Sequence, residues 1–78
     1  MLTQTTARPS REDVIDAVRR ALSGYGFGAD VAQIADALID AHGAALAVRI
    51  ADGADRLDRD AVVLFWGTID AAGVEVTQ

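Results

Sequence analysis

A chain of 78 residues has room for one small domain, whose core supplies only a few kcal/mol of net stability unless a partner helps. Apolar residues make up 51% of the chain, which excludes a wholly disordered protein. Twelve acidic and seven basic side chains give a net charge of -5, which disfavours direct binding to nucleic acid and is more compatible with a basic partner.

The chain has no cysteine, so disulfides and thiolate metal sites are excluded. It shows neither the pattern of a signal peptide nor the run of about 20 apolar residues that a membrane span needs, and we expect a cytoplasmic protein. All seven basic residues are arginine and alanine is abundant, a composition common in GC-rich genomes, which favours a bacterial or phage origin. Residues 1–9 are polar and end in proline, so we predict a flexible tail followed by a single helical domain over residues 10–78.

The first helix is predicted to begin after Ser10, because Ser10 and Asp13 have the spacing of a capping box. Apolar residues then recur at helical spacing at Val14, Ile15, Val18, Ala21 and Leu22. The helix should end in the segment 23–28, where three glycines turn the chain. The rings of Tyr25 and Phe27 are expected to dock on the core.

The second helix is predicted to begin with another capping box, formed by Asp30 and Gln33. Its apolar stripe consists of Val31, Ile34, Ala35, Leu38 and Ile39. Gly43 follows His42 and should cap the C-terminus of this helix.

The segment 44–57 permits two interpretations. Residues 46–50 alternate like a strand and Asp52-Gly53 could form a hairpin turn, whereas Leu46, Ile50, Ala54 and Leu57 also fit a helix. We favour the helix, because alanine is frequent here and the pairs Asp52 with Arg56 and Asp55 with Arg59 have helical spacing for opposite charges. Gly53 in its interior should cost about 1 kcal/mol relative to alanine.

A fourth helix is predicted to begin at a cap supplied by Asp58 or Asp60, to run to about Ala72, and to end at Gly73 before an extended tail, residues 74–78. The β-branched content of residues 62–69 leaves a strand possible. The predicted fold class is therefore an all-α bundle of about four short helices. The alternative is an α+β fold with two N-terminal helices and a C-terminal hairpin.

The fourth helix is apolar on nearly all sides. At 100° per residue, one stripe should face the core; it contains Val62, Phe65, Trp66 and Ile69. A second set lies outside this stripe and is predicted to contact another protein chain; it contains Val63, Leu64, Gly67 and Ala71. The alternative is that the fourth helix is central and wrapped by the other three.

The sequence contains no pattern that predicts catalysis, a cofactor or a metal. The glycine run 24–28 follows a helix, whereas phosphate-binding loops follow a strand. His42 lies about 200° around the helix from Asp40, which favours a role at the negative end of the helix dipole over metal binding. An acidic surface is predicted from five aspartates, Asp36, Asp40, Asp52, Asp55 and Asp58.

The leading functional hypothesis is a small, acidic, non-enzymatic protein–protein interaction module, a homodimer that acts as a regulator or inhibitor. One alternative is a transcriptional regulator, because residues 31–38 resemble the first helix of a helix-turn-helix. Its recognition helix would have to come from residues 44–52, where Arg49 is the only basic side chain. A second alternative is an inhibitor that mimics nucleic acid with its aspartates, although the interleaved arginines weaken such a stripe.

Overall fold

Four helices form the bundle in the computed structural model, which describes residues 9–25 and 28–77. They are α1 (Arg11–Tyr25), α2 (Val31–His42), α3 (Ala44–Asp55) and α4 (Arg59–Ala72). Strands β1 (Gly28–Ala29) and β2 (Val76–Thr77), of two residues each, pair antiparallel and attach the C-terminal segment to the connection between α1 and α2. The all-α prediction is confirmed.

The hairpin alternative for residues 44–57 is wrong, since α3 occupies most of this segment. The tail predicted for residues 1–9 falls outside the described residues except for Pro9. The predicted docking of the Tyr25 and Phe27 rings also lies outside what the structure describes.

The predicted caps begin three of the helices. At the start of α1, Ser10 and Asp13 form a reciprocal pair: the Asp13 amide donates to Ser10 Oγ at 3.3 Å, and the Ser10 amide donates to Asp13 Oδ2 at 2.9 Å. Asp30 accepts from the Gln33 amide at 3.1 Å before α2. Asp58 is the residue that caps α4, accepting from the Asp60 amide at 3.1 Å. These bonds satisfy amides that a helix leaves without partners in its first turn.

Gly43 alone connects α2 to α3. Its amide donates to the Ile39 carbonyl at 2.7 Å and its carbonyl accepts from the Ala47 amide at 2.8 Å, so it ends one helix and begins the next. Its backbone has φ 88° and ψ 156°, a region essentially restricted to glycine. The predicted cap is confirmed, and the turn depends on the missing side chain.

Helices α2 and α3 each pack against all three other helices, and α3 does so most extensively. Helix α4 packs mainly against α2 and α3, so the alternative in which α4 is central and wrapped by the other three helices is wrong. Two of the residues whose spacing predicted α3 are not buried: Leu46 is 43% exposed, and Leu57 lies beyond the end of the helix. The residues of α3 that are buried are mostly alanine, namely Ala47, Ile50, Ala51 and Ala54. Small side chains allow the neighbouring helices to approach α3 closely.

The predicted core stripe of α4 does face the bundle. Phe65 is fully buried and Ile69 is 3% exposed, while Val62 and Trp66 are half-buried and pack against the core. The rings of Phe65 and Trp66 meet edge to face, with centroids 5.2 Å apart. Such a contact adds to the free energy gained by burying the rings.

Gly53 is required by the crossing of α3 and α4. A Cβ atom placed on it would lie 2.5 Å from the Cβ of Ala61, whereas carbon atoms in contact are normally about 3.5–4.0 Å apart. The sequence predicts only the lower helix propensity of this glycine. The structure adds that its missing side chain lets α4 pass against α3.

Helix α3 ends in a turn that places Leu57 in the left-handed region. The Asp58 amide donates to the Gly53 carbonyl at 2.9 Å and the Leu57 amide to the Ala54 carbonyl at 3.1 Å, the bond pattern of a Schellman motif. Leu57 has φ 62° and its side chain is 69% exposed. Glycine usually takes this position, because a side chain in this conformation costs about 1–2 kcal/mol.

Replacing Leu57 with glycine is expected to raise the free energy of unfolding by about 0.5–1 kcal/mol. The free energy gained by removing the strained backbone conformation should exceed the cost of the extra conformational entropy that glycine gives the unfolded chain. Urea denaturation followed by circular dichroism measures the change as a higher midpoint at constant slope. Leu46→Gly is the control, because it places glycine inside α3 and should lower the midpoint. A lower midpoint for Leu57→Gly would show that Leu57 contributes more by packing than its backbone loses.

Candidate functional site

The four residues predicted to contact another chain lie together on one groove. This α2–α4 groove encloses about 400 Å³ and runs between the two helices for which it is named. Helix α4 contributes all four of the predicted residues, Val63, Leu64, Gly67 and Ala71, together with Thr68 and Ala72. Helix α2 contributes Ala37, Asp40, Ala41 and His42. Most of the lining is apolar, as in surfaces that bind partners or ligands.

The rim of this groove exposes large apolar side chains. Val63 is 65% exposed and Leu64 is 45% exposed, although Phe65 beside them is fully buried. A Cβ atom added to Gly67 would meet no atom within 4 Å, so the groove is open at that point. Within the monomer, therefore, this side of α4 is covered by no other part of the described chain.

A second groove lies on the other side of Leu64, between α3 and α4. This α3–α4 groove is lined by Leu46, Arg49, Ile50, Asp58, Asp60, Ala61 and Leu64. Leu64 belongs to both grooves and forms the ridge between them. With Leu46 43% exposed, the apolar surface extends from α4 onto α3. The sequence pattern did not predict this extension, because it placed Leu46 on a helix without indicating which face of that helix is exposed.

His42 joins α2 to α4 at the α2–α4 groove. Its Nε2 lies 2.9 Å from Thr68 Oγ1, and the Thr68 hydroxyl donates to the Leu64 carbonyl at 2.7 Å. When the hydroxyl donates to that carbonyl, Thr68 Oγ1 accepts from Nε2–H of His42. The imidazole thus has a structural partner in addition to its predicted place in the last turn of α2. No local pattern could reveal a bond between residues 26 positions apart.

Asp36, from the predicted acidic surface, is engaged in an ion pair. Arg11 donates through Nε to Asp36 Oδ1 at 2.7 Å and through a terminal nitrogen to Oδ2 at 3.2 Å, which links the start of α1 to α2. This hydrogen bond, with the attraction of the opposite charges, lowers the pKa of Asp36 and raises the pKa of Arg11. The stabilisation by Asp36 is present above the pKa it has in the unfolded chain and is lost as the pH falls through its lower folded-state value.

The other predicted acidic residues have different local roles. Asp52 pairs with Arg56 at 3.1 Å, as predicted, whereas Asp55 and Arg59 belong to different helices, so their spacing does not create a helical pair. Asp58 caps α4, and Asp40 lines the α2–α4 groove. Their role as a binding surface stays a prediction.

Residues 9–25 and 28–77 contain neither a cluster of metal ligands nor a membrane-spanning helix. Within these ranges no group of three or more histidine or acidic side chains is arranged to hold a metal ion. None of the helices described there has the length and apolarity needed to cross a membrane. No protein-family model, curated protein sequence or solved structure matches the chain. The two grooves and the ridge between them are thus the features from which a function can be inferred.

Proposed function

We propose that this protein is a small, acidic, non-enzymatic interaction module that forms a homodimer and acts by docking on another protein. A regulator or inhibitor in the cytoplasm of a bacterium, or encoded by a phage, fits its size and composition. The contact between chains is made by Val63, Leu64, Gly67 and Ala71. The ridge formed by Leu64 is its centre.

The observation that carries the proposal is the exposure of Val63 and Leu64 beside a mostly apolar groove. A chain of 78 residues gains only a modest core, and an uncovered apolar helix face offers further area to bury. Aliphatic side chains removed from water contribute about 25 cal/mol per Å². Burial against a second chain is the simplest way to obtain this free energy.

The two alternative functions have less support. A recognition helix needs side chains on its exposed face that reach bases and phosphates, but among the exposed residues of α3 only Arg49 is basic, and Leu46 beside it is apolar. A nucleic-acid mimic needs unneutralised carboxylates, but Asp36 and Asp52 are paired with arginines. Both observations weigh in favour of an apolar protein contact.

Replacing Leu64 with arginine is expected to convert a dimer into a folded monomer. The new charge would be desolvated in the contact, whereas in the monomer it would reach water because this position is 45% exposed. Size exclusion coupled to light scattering measures the mass, and circular dichroism measures the helix content. The expected result is half the mass with unchanged helicity.

Ser23→Arg is the matched control, because it adds the same charge at an exposed position of α1. This variant should remain dimeric. A wild-type protein that stays monomeric at tens of micromolar would overturn the dimer. Unfolding of Leu64→Arg would show that Leu64 belongs to the core.

A further inference from the structure

We infer that residues 1–8, the N-terminal segment, bind across the α2–α4 groove of their own chain. Leu2 packs on the apolar lining of the groove, and Arg8 pairs with Asp40. A partner chain must displace the segment before it can contact the Leu64 ridge. This regulation rests on the proposed function, whereas the contact within one chain does not.

The N-terminal segment joins the described chain beside α2. Arg11 donates to both carboxylate oxygens of Asp36, at 2.7 Å and 3.2 Å, which fixes the start of α1 against α2. At 100° per residue, Asp40 lies about 40° around α2 from Asp36. Ala37 and Ala41 follow at about 100° and 140°, and with Asp40 they line the α2–α4 groove. The groove therefore lies less than half a turn around α2 from the attachment of the segment.

The residues of the N-terminal segment occur in the order in which the groove presents their partners. Arg8 directly precedes Pro9, and the Asp40 carboxylate is the group of the groove nearest to the attachment. Leu2 and Met1 are the two large apolar residues of the segment and lie farther along it, as the apolar lining does. An extended chain from Leu2 to Pro9 spans up to about 23 Å, whereas a helix with its side chains is about 10–12 Å across. The segment is therefore long enough to pass over α2 and enter the groove.

The lining of the groove matches the chemistry of this segment. It is mostly apolar and contains one carboxylate, that of Asp40, which is exposed and forms no ion pair with a described residue. Val63 and Leu64 are 65% and 45% exposed, with no cover from the described chain. Contact with Leu2 removes apolar surface from water, and the Arg8 guanidinium supplies a charge opposite to that of Asp40.

Covalent attachment favours this segment over a separate chain as the occupant of the groove. A short tether holds a binding segment at an effective concentration of about 1 mM, so a free partner at micromolar concentration must bind about a thousandfold more tightly to match it. A weak contact through one leucine and one arginine is therefore sufficient within the chain. The same weakness leaves the groove accessible to a partner of higher affinity.

Paramagnetic relaxation tests the contact in the full chain. Because the chain has no cysteine, Thr5→Cys carries a single nitroxide label in the middle of the segment. At a concentration at which the protein is monomeric, the label should broaden the amide signals of the groove residues Ala41, Gly67 and Ala71. Adding Leu2→Ser should abolish this broadening without adding charge. Groove signals that the label leaves sharp in the absence of Leu2→Ser would overturn the contact.

Charge reversal tests the pair formed by Arg8 and Asp40. Arg8→Asp should weaken the broadening, and the further change Asp40→Arg should restore it, because the two charges are again opposite. Arg20→Asp is the matched control, since it makes the same change at an exposed position of α1 that lines neither groove. This control should leave the broadening unchanged. A double variant that stays as weak as Arg8→Asp would overturn the pair.

Sedimentation equilibrium tests the regulation. A segment that covers the groove about nine-tenths of the time lowers the affinity of a partner about tenfold, because only the uncovered fraction binds. Leu2→Ser should therefore self-associate at least about tenfold more tightly than the wild type, and unchanged helix content by circular dichroism confirms that it is folded. Equal association of two dimeric proteins would overturn the displacement. If both proteins stay monomeric while the label broadens the groove signals, the dimer and its regulation are overturned and the contact within one chain stands.

Discussion

Replacing Phe65 with alanine should lower the free energy of unfolding by about 3–5 kcal/mol, most of what a domain of this size possesses. Phe65 is fully buried, and its side chain is the largest of the fully buried ones that the structure describes. Its removal forfeits the burial of the ring, leaves a cavity, and breaks the edge-to-face contact with Trp66. Circular dichroism during urea titration should show a chain that is largely unfolded before denaturant is added.

Leu64→Ala is the matched control for this prediction. Leu64 precedes Phe65 in the same helix, but it is 45% exposed, so its truncation in the monomer should cost less than about 1 kcal/mol. Both variants should be measured at a concentration at which the wild type is monomeric, because dimerisation adds to apparent stability. Equal losses for the two variants would contradict the assignment of one to the core and the other to the surface.

Replacing Gly53 with alanine is expected to destabilise the protein by about 1–2 kcal/mol, although alanine is the better helix former. The added methyl group would lie 2.5 Å from the Cβ of Ala61, so α3 and α4 would have to separate. Overpacking typically costs about 1–3 kcal/mol, and a contact this short belongs to the upper part of that range, which exceeds the gain of about 1 kcal/mol in helix propensity. Thermal unfolding should show a melting temperature lower by roughly 4–15 °C.

Gly67→Ala is the matched control and is expected to stabilise the monomer. It adds the same methyl group within α4 at a position where a Cβ atom meets nothing within 4 Å, so the monomer should gain up to about 1 kcal/mol. Ala61→Gly in the background of Gly53→Ala should restore much of the lost stability by removing the other half of the clash. Stabilisation by Gly53→Ala would mean that the two helices do not cross as closely as described.

The elements that could be predicted from the sequence are those with a local chemical signature. Ser10, Asp30 and Asp58 mark helix starts because their side chains bond amides only two or three residues away. Gly43 and Gly73 mark helix ends because both require positive φ. The buried face of α4 could be predicted because Phe65 and Ile69 are large and recur at helical spacing.

The elements that could not be predicted depend on packing between helices. The core of α3 consists largely of alanine, which is common in exposed and buried positions alike, so the sequence pattern does not identify the buried face of this helix. The sequence predicts only the low helix propensity of Gly53, because Ala61, which lies against it, belongs to the next helix. The exposed set on α4 could be predicted from its angle on the helix, but its junction with Leu46 and Arg49 required the position of α3.

The single-residue connection at Gly43 bears on how a second copy would bind. Its amide and its carbonyl both belong to helical hydrogen bonds, which hold its backbone at φ 88° and ψ 156°. Helices α2 and α3 are therefore held at one angle by hydrogen bonds that continue through Gly43, with Asp40 on α2 and Arg49 on α3. The separation of these charges is set before a partner arrives. Association then requires little ordering of the backbone, which lowers the entropic penalty of binding and favours a rigid, lock-and-key contact.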